Sequence, residues 1–480
     1  MKSGRRVIAA VLTALMTVTL TVNTAVNVYA TGVTTTENAQ ATDAQAANAQ
    51  ALTPEQQKAQ ELQQAYDMPV ESNAYENWPQ GPGTYGEAGI VMEVGTGAIL
   101  YAKNIDAHEY PASITKVLTA LVALENGQLT DNVTFSHDSV AFLQPGDSSV
   151  GLKEGNVISL DQALHAMLLA SANEAAYAIG ESVGVNAGHD YNWFIEQMNT
   201  RCKELGGENS NFVNTNGLHD PNHYTCARDM ALIGRELFKH PEFFQIVQTL
   251  NYTIPASATT EEHIFQQKHK MLQPSNSNYY PYTIGGKTGY TTDALSTLIT
   301  MADNGQTQLV CVVLRTHGKN IYPDTTNLFE YGFHNFTKVD VTTMDKPEEV
   351  KEFLTEDGQS EPNYVMLPNG VDFSALDQQI TPDADGGNEG TVTYSYDGNE
   401  LGSARVELSD TYLKAHSDNT GKDGTSGNQD SKTTQKKTGK LQSLKNTTKG
   451  KIILGLSVLL LILIIAFVVM IIRFKRKSRK

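Results

Sequence analysis

From Ile452 to Ile472 the chain carries no charged residue, and at about 1.5 Å of rise per residue a helix over that stretch crosses the ~30 Å hydrocarbon core of a bilayer. The residues that follow, Arg473, Lys475, Arg476, Lys477, Arg479 and Lys480, form a short basic flank of the kind that stays on the cytoplasmic side. A buried core helix would need a domain to be buried in, and the basic tail offers none. The expected topology is therefore one span over 451–473, a cytoplasmic tail over 474–480, and everything before them outside the cytoplasm. The other end agrees. Lys2, Arg5 and Arg6 precede a largely apolar run from Val7 to Val22 and the small-residue site Val28-Tyr29-Ala30, the pattern of a secretory signal peptide over 1–30.

Composition then divides what lies between. An Ala, Gln and Thr-rich segment, 31–75, has too few branched or aromatic residues to build a core and reads as a disordered spacer. A Ser, Gly, Asn and Lys-rich segment, 416–450, reads as a flexible linker holding the folded part off the membrane. The remaining stretch is long for one domain. Strand-like runs at Ala88–Glu93 and Leu309–Leu314 alternate with helical patterns at Ile114–Glu125 and Leu160–Leu169 over 76–338. The segment 339–415 looks all-β, with Thr391–Tyr396 and Ala404–Leu408 separated by Asp397-Gly398. Two folded domains are expected. With 53 acidic against 36 basic residues and a net charge of -17, nucleic acid is excluded as a partner. Cys202, Cys226 and Cys311 are widely spaced and odd in number, so they read as buried packing residues.

Chemistry is carried by three short motifs in one order: Ser113-Ile114-Thr115-Lys116, Ser171-Ala172-Asn173 and Lys287-Thr288-Gly289. Ser113 opens a helical pattern, where unpaired backbone N–H groups favour negative charge, and Lys116 lies on the same face. A serine hydroxyl needs a neighbouring base, and a lysine serves if desolvation or another cation lowers its pKa. Lys287 is the candidate cation. Ser171 and Asn173 fall at the turn between two helical patterns, placed to relay a proton and to bind a substrate backbone. Lys287 and Thr288 offer a cation and a hydroxyl to a terminal carboxylate on a strand edge suited to a peptide. Gly289 opens close approach there, and the N–H of Tyr290 pairs with that of Ser113 as an oxyanion hole.

Each motif alone is common by chance, and each has a bland reading as a helix cap or solvated lysine. Together they resemble the low-molecular-weight penicillin-binding proteins of the D-alanyl-D-alanine carboxypeptidase type, the S11 peptidases. The resemblance extends to Pro111–Leu124, Ser171–Gly180, and Asn216-Gly217-Leu218-His219-Asp220 through Asp229-Met230-Ala231. It implies an α/β fold of α+β type, like the β-lactamases and transpeptidases: a helical subdomain on a five-stranded antiparallel sheet, followed by a small β-rich domain. It also implies Ser113 as acylated nucleophile, Lys116 as base, Ser171 as relay, and Asn173, Lys287, Thr288, Gly289 and Tyr290 as substrate-binding residues. The substrate is a peptidoglycan stem peptide, β-lactams are covalent inhibitors, and no cofactor or metal takes part.

Two departures stand out. The basic residue that many members carry after the last core strand has no clear counterpart, Arg315 and Lys319 being the candidates. The apolar run 452–472 replaces the amphipathic anchor helix of many members. His219-Asp220-Pro221-Asn222-His223 has the spacing of a metal pair, but Pro221 argues against a helix and no third ligand cluster is evident, so a loop is expected. Tyr279-Tyr280 reads as packing rather than as a sugar platform. The rival activities are a D,D-endopeptidase, a β-lactamase and a non-catalytic sensor of β-lactams or muropeptides. The last is disfavoured by a cytoplasmic tail too short for an output domain.

Overall fold

A computed structural model describes residues 52–354, 363–384 and 387–417. The signal peptide, the linker beyond Ser417 and the span expected at 451–473 lie outside the described residues, as does the tail. Among the described residues no helix is long and apolar enough to cross a membrane.

The central element is a five-stranded antiparallel sheet in the order β2-β1-β5-β4-β3, built from β1 (Ala88–Glu93), β2 (Ile99–Lys103), β3 (Thr283–Thr291), β4 (Leu295–Asp303) and β5 (Gln308–Thr316). Strand alternation gives it two apolar faces. Ile90, Met92, Val310, Val312 and Leu314 join a core shared with the helices, whereas Val91, Leu309, Cys311 and Val313 join a second core on the opposite side. The helical layer comprises α2 (Thr115–Asn126), α3 (Leu160–Leu169), α4 (Asn173–Asn186), α5 (Tyr191–Glu204) and α6 (Ala227–Glu236). Helix α3 starts where a sequence signal places it: Ser159 and Gln162 form a reciprocal capping box. The five-stranded sheet under helices is the arrangement the motif resemblance implied.

On the second face lie α7 (Ile321–Asn335) and two further sheets. One pairs β6 (Phe336–Asp340) with β8 (Tyr364–Pro368). The other runs β7 (Val350–Phe353), β11 (Asn399–Leu408), β10 (Glu389–Tyr396), β9 (Asp377–Pro382). The alternating segments read at Thr391–Tyr396 and Ala404–Leu408 thus pair as a hairpin. Its core residues Val392, Tyr394 and Val406 belong to the same buried cluster as Val91 and Phe329, and the described residues up to Leu413 form one compact unit. The boundary expected near residue 338 is therefore not a gap in the packing.

Of the spacer expected over 31–75, residues 52–75 are described, and they form structure that their composition did not imply. Helix α1 (Pro54–Tyr66) begins at a capping box of Thr53 and Gln56, and Ala65 and Ser72 are buried. Its polar residues lack apolar periodicity because only its C-terminal end is packed. Lys103 Nζ donates to the Ala65 carbonyl at 2.6 Å, and the Tyr66 and Tyr85 rings meet at 5.0 Å. Cys202, Cys226 and Cys311 are free and buried.

Candidate active site

Ser113 does not open the long helix. It sits in a 3-10 turn, Ala112–Ile114, directly ahead of α2, and its side chain makes no capping bond. Ala112 holds φ +51°, a left-handed conformation that costs a non-glycine residue ~1–3 kcal/mol, so its surroundings must fix it. Three contacts do so. Thr115 Oγ1 donates to the Ala112 carbonyl at 2.9 Å, and Thr297 Oγ1 on β4 donates to the Pro111 carbonyl at 2.7 Å. His223 Nδ1 accepts from the Val213 N–H at 3.1 Å, leaving Nε2–H to donate to Thr115 Oγ1 at 2.8 Å. Burial pushes the His223 pKa down to about 3, so the ring is a neutral strut.

Gly217 packs on this turn. A Cβ there would lie 1.8 Å from the Ala112 carbonyl oxygen and 3.0 Å from the Ser113 nitrogen, and its φ of +83° independently favours glycine. On the strand side, a Cβ at Gly289 would meet Thr297 Oγ1 at 2.3 Å and the Ser113 nitrogen at 2.9 Å. The serine is clasped between two glycines from distant parts of the chain.

Lys116 is fully buried. Its Nζ contacts Ser113 Oγ at 2.9 Å, Asn173 Oδ1 at 2.8 Å and the Asn216 carbonyl at 2.5 Å. Desolvation, then the charge of Lys287, holds its pKa well below a lysine's usual range, with Glu174 opposing. Two of the three partners can only accept. In its neutral form the amine can spend its two N–H bonds on Asn173 and Asn216 and offer its lone pair to the Ser113 hydroxyl.

The second motif lies at the junction of α3 and α4, as its sequence position implied. Ser171 is buried with φ +65° and lines the cleft, and Asn173 is the first residue of α4, its N–H donating to the Ser148 carbonyl at 2.8 Å. The next residue, Glu174, is fully buried. Its Oε1 accepts from Ser149 Oγ, Val150 N and Gly151 N at 2.6, 2.8 and 3.2 Å, pinning the loop that carries Asp147 and Ser148 into the cleft.

The third motif lies on β3, which among the described residues is a sheet edge with β4 as its only strand partner, its other edge facing the cleft. Thr288, Gly289 and the exposed Tyr290 line that cleft, an open volume of about 780 Å³ that also reaches Ser113, Ser171 and Asn173. Lys287 is set back from it. Its Nζ donates to the Thr288 carbonyl at 2.8 Å, and desolvation lowers its pKa to about 7, with Lys268 adding to the effect. All three motifs thus converge on one cleft, with Lys287 behind its wall and the others at its surface or on Ser113.

Of the two residues considered for the absent basic group, Lys319 lines the cleft. Arg315 is committed elsewhere, to Glu87 at 3.0 Å and to the Asp293 carbonyl at 2.8 Å. Lys268 and Lys270 add cations that the motifs did not announce. His219 and His223 form no metal pair, since one faces the cleft and the other is the strut under Thr115. Tyr280 is packed on Phe329 and donates to Glu330 at 2.8 Å.

A family described as D-alanyl-D-alanine carboxypeptidase, peptidase S11, matches residues 77–318, half of the chain. The chain belongs to the S11 family. Among its curated relatives, the D-alanyl-D-alanine carboxypeptidase DacF of Bacillus subtilis is 28% identical over 352 residues, covering 68% of this chain and 86% of the relative. DacA of Haemophilus influenzae is 28% identical over 348 residues, covering 66% and 83%. A solved DD-transpeptidase from Streptomyces K15 is 27% identical, with a TM-score of 0.49, and covers 53% of this chain and 99% of that one. Within the S11 segment fall Asn216, Gly217, Glu174 and His223, to which sequence reasoning gave no role. Asn216, Gly217 and Glu174 fell in segments that carry the resemblance, and His223 in the histidine pair set aside as a loop. Helix α1 precedes the matched segment.

Proposed function

We propose that this S11 protein is a serine-type D-Ala-D-Ala carboxypeptidase. It removes the terminal D-alanine from peptidoglycan stem pentapeptides and is acylated by penicillin at the same serine. The observation that carries the reading is the fully buried Lys116 amine 2.9 Å from Ser113 Oγ, its pKa held low by desolvation first and by the charge of Lys287 second.

In this mechanism Lys116 takes the Ser113 proton as Oγ bonds to the carbonyl carbon between the last two D-alanines. The oxyanion lies between the N–H groups of Ser113 and Tyr290, each such donor being worth ~3 kcal/mol. Collapse breaks the C–N bond, Ser171 passes the proton from Lys116 to the leaving amine, and D-alanine departs. Water then cleaves the ester, restoring Ser113 and releasing the shortened peptide. Asn173 holds the substrate backbone through its amide nitrogen. Thr288 and Lys319 take the terminal carboxylate, with Lys287 supplying positive field from behind. The close approach at Gly289 keeps β3 beside the serine.

The sequence supports an envelope location for this chemistry. The signal peptide at 1–30 would export the chain, the span at 451–473 would anchor it, and the linker at 416–450 would let the folded part reach the wall. The test uses the full chain in detergent with a synthetic pentapeptide ending in D-Ala-D-Ala. Ser113→Ala is expected to lower D-alanine release by on the order of 10⁴-fold or more and to abolish fluorescent penicillin labelling. Penicillin labelling without any D-alanine release from the unaltered chain would favour an endopeptidase or sensor instead. Turnover that survives Ser113→Ala would overturn the assignment.

A further inference from the structure

One wall of the cleft, formed by Gly318, Lys319, Ile321 and Tyr322, comes from outside the three motifs. It is a short 3-10 turn, Gly318–Asn320, joining β5 to α7. Its own cap bond is a single one, from the Ile321 N–H to the Lys319 carbonyl. His317 stands at its N-cap without a capping bond, and Gly318 takes φ +67°.

The restraint comes from α1. His317 Nε2 donates to Glu61 Oε2 at 2.5 Å, across 256 positions of sequence, and His317 is only 20% exposed. One helical turn earlier, Lys58 Nζ lies 3.8 Å from where a Cβ on Gly318 would stand. The far end of the wall is tied to the same helix. Lys103 Nζ donates to the carbonyls of Ala65, Thr84 and Gly86 at 2.6, 2.8 and 2.8 Å. The N–H groups of Tyr85 and Gly86 donate to Asp324 Oδ2 at 2.8 and 3.0 Å, in the first turn of α7. The wall is thus gripped at His317 on one side and at Asp324 on the other, and both grips run through the N-terminal segment.

We propose that α1 is a brace for this wall and that Glu61 is a positioning residue. Through His317 it fixes Gly318 and Lys319 where the substrate's terminal carboxylate binds. The inference rests on the proposed carboxypeptidase reading, because it assigns Lys319 to that carboxylate. A partly exposed pair transmits a modest effect, and it should fall on substrate binding rather than on the chemical step.

The experiment compares Glu61→Ala, Glu61→Gln and a control on the same helix, Gln64→Ala, in the full chain. Glu61→Ala should raise KM for the D-Ala-D-Ala peptide about threefold to fivefold while kcat stays within about twofold. Glu61→Gln, which still accepts from His317, should restore most of the loss, and Gln64→Ala should behave as the unaltered chain. In a Lys319→Ala background, Glu61→Ala should add nothing, since both act through one wall. A KM unchanged in Glu61→Ala, or its full effect persisting without Lys319, overturns the brace. Penicillin carries its own carboxylate, so its acylation rate reads the same wall by the same criteria. The brace is therefore tested even if D-alanine release is absent from the unaltered chain and the carboxypeptidase reading falls.

Discussion

The part of the chain that carries the motifs and the C-terminal sheets bury different things. Among the described residues, every buried charged, amide, imidazole, serine or threonine residue lies between Ser72 and Thr325, including Lys116, Lys287, Glu174, His223 and His269. The interior of β6 to β11 is apolar apart from Tyr394: Val350, Val365, Met366, Val392, Leu401, Ala404, Val406 and Leu408. Burying a charge is costly unless it is paired or hydrogen-bonded, and much of the motif-bearing part is built to meet that cost around one serine. The C-terminal sheets carry no such load. One region should therefore answer substitution with lost chemistry and the other with lost stability.

The largest separation is expected at Gly217. A methyl group there must displace the Ala112 peptide, because a 1.8 Å approach to a backbone oxygen cannot be relieved by a rotamer. Ser113 moves with that peptide, and a displacement of about 1 Å at a reacting group costs ~10²-fold in rate. Gly217→Ala should therefore lower kcat/KM for D-alanine release about 100-fold, with penicillin acylation slowed in parallel. Unchanged acylation would show that the clasp on the nucleophile turn is dispensable.

Val406→Ala asks the converse question. Val406 is fully buried on β11, where it pairs with Gly390 on β10 and with Phe353 on β7, one residue from the register shift between Val350 and Glu352. Loss of its methyl groups should cost ~2 kcal/mol in chemical denaturation, while kcat/KM stays within about twofold. Because its cluster is continuous with Val91 and Phe329, a drop in activity at unchanged KM would mean that the C-terminal sheets tune the catalytic sheet through that shared core.

What was legible in the sequence follows the same division. The motif serines, lysines and asparagine were readable because acyl transfer demands those residue types, and the helix starting at Leu160 was readable from its apolar pattern. The strut at His223 was not, since its role arises from a contact with Thr115 across 108 positions. Glu174 looked like an ordinary first-turn carboxylate, although it pins a loop from another part of the chain. Lys287 was read as a cleft cation, but its Nζ turns back to the Thr288 carbonyl. Helix α1 was missed because composition reports whether a segment can build its own core, and this one borrows Lys103, Tyr85 and His317 from a fold already made.

The last expected effect concerns acid, and it separates the two regions by a group that only one of them contains. No histidine occurs between Val339 and Leu413, whereas His223 and His269 are buried and both depressed to about 3 by desolvation. An unfolded histidine takes up its proton near pH ~6.5, and these folded ones do so only near pH 3. Between those limits the unfolded chain binds more protons, so each histidine lowers stability as pH falls, by at most ~1.4 kcal/mol per pH unit. Asp324, raised to about 6, and Glu109, raised to about 7, act in the opposite sense above the usual carboxylate range. The difference between variant and parent therefore isolates the histidine better than either curve alone. His223→Gln should flatten the fall in denaturation free energy between about pH 6 and pH 4, leaving the curve above pH 7 parallel to the parent's. Val406→Ala should shift the whole curve down without changing its slope. If His223→Gln produced the same uniform shift, the ring would be acting as packing, and the neutral strut beneath the nucleophile turn would lose its electrostatic argument.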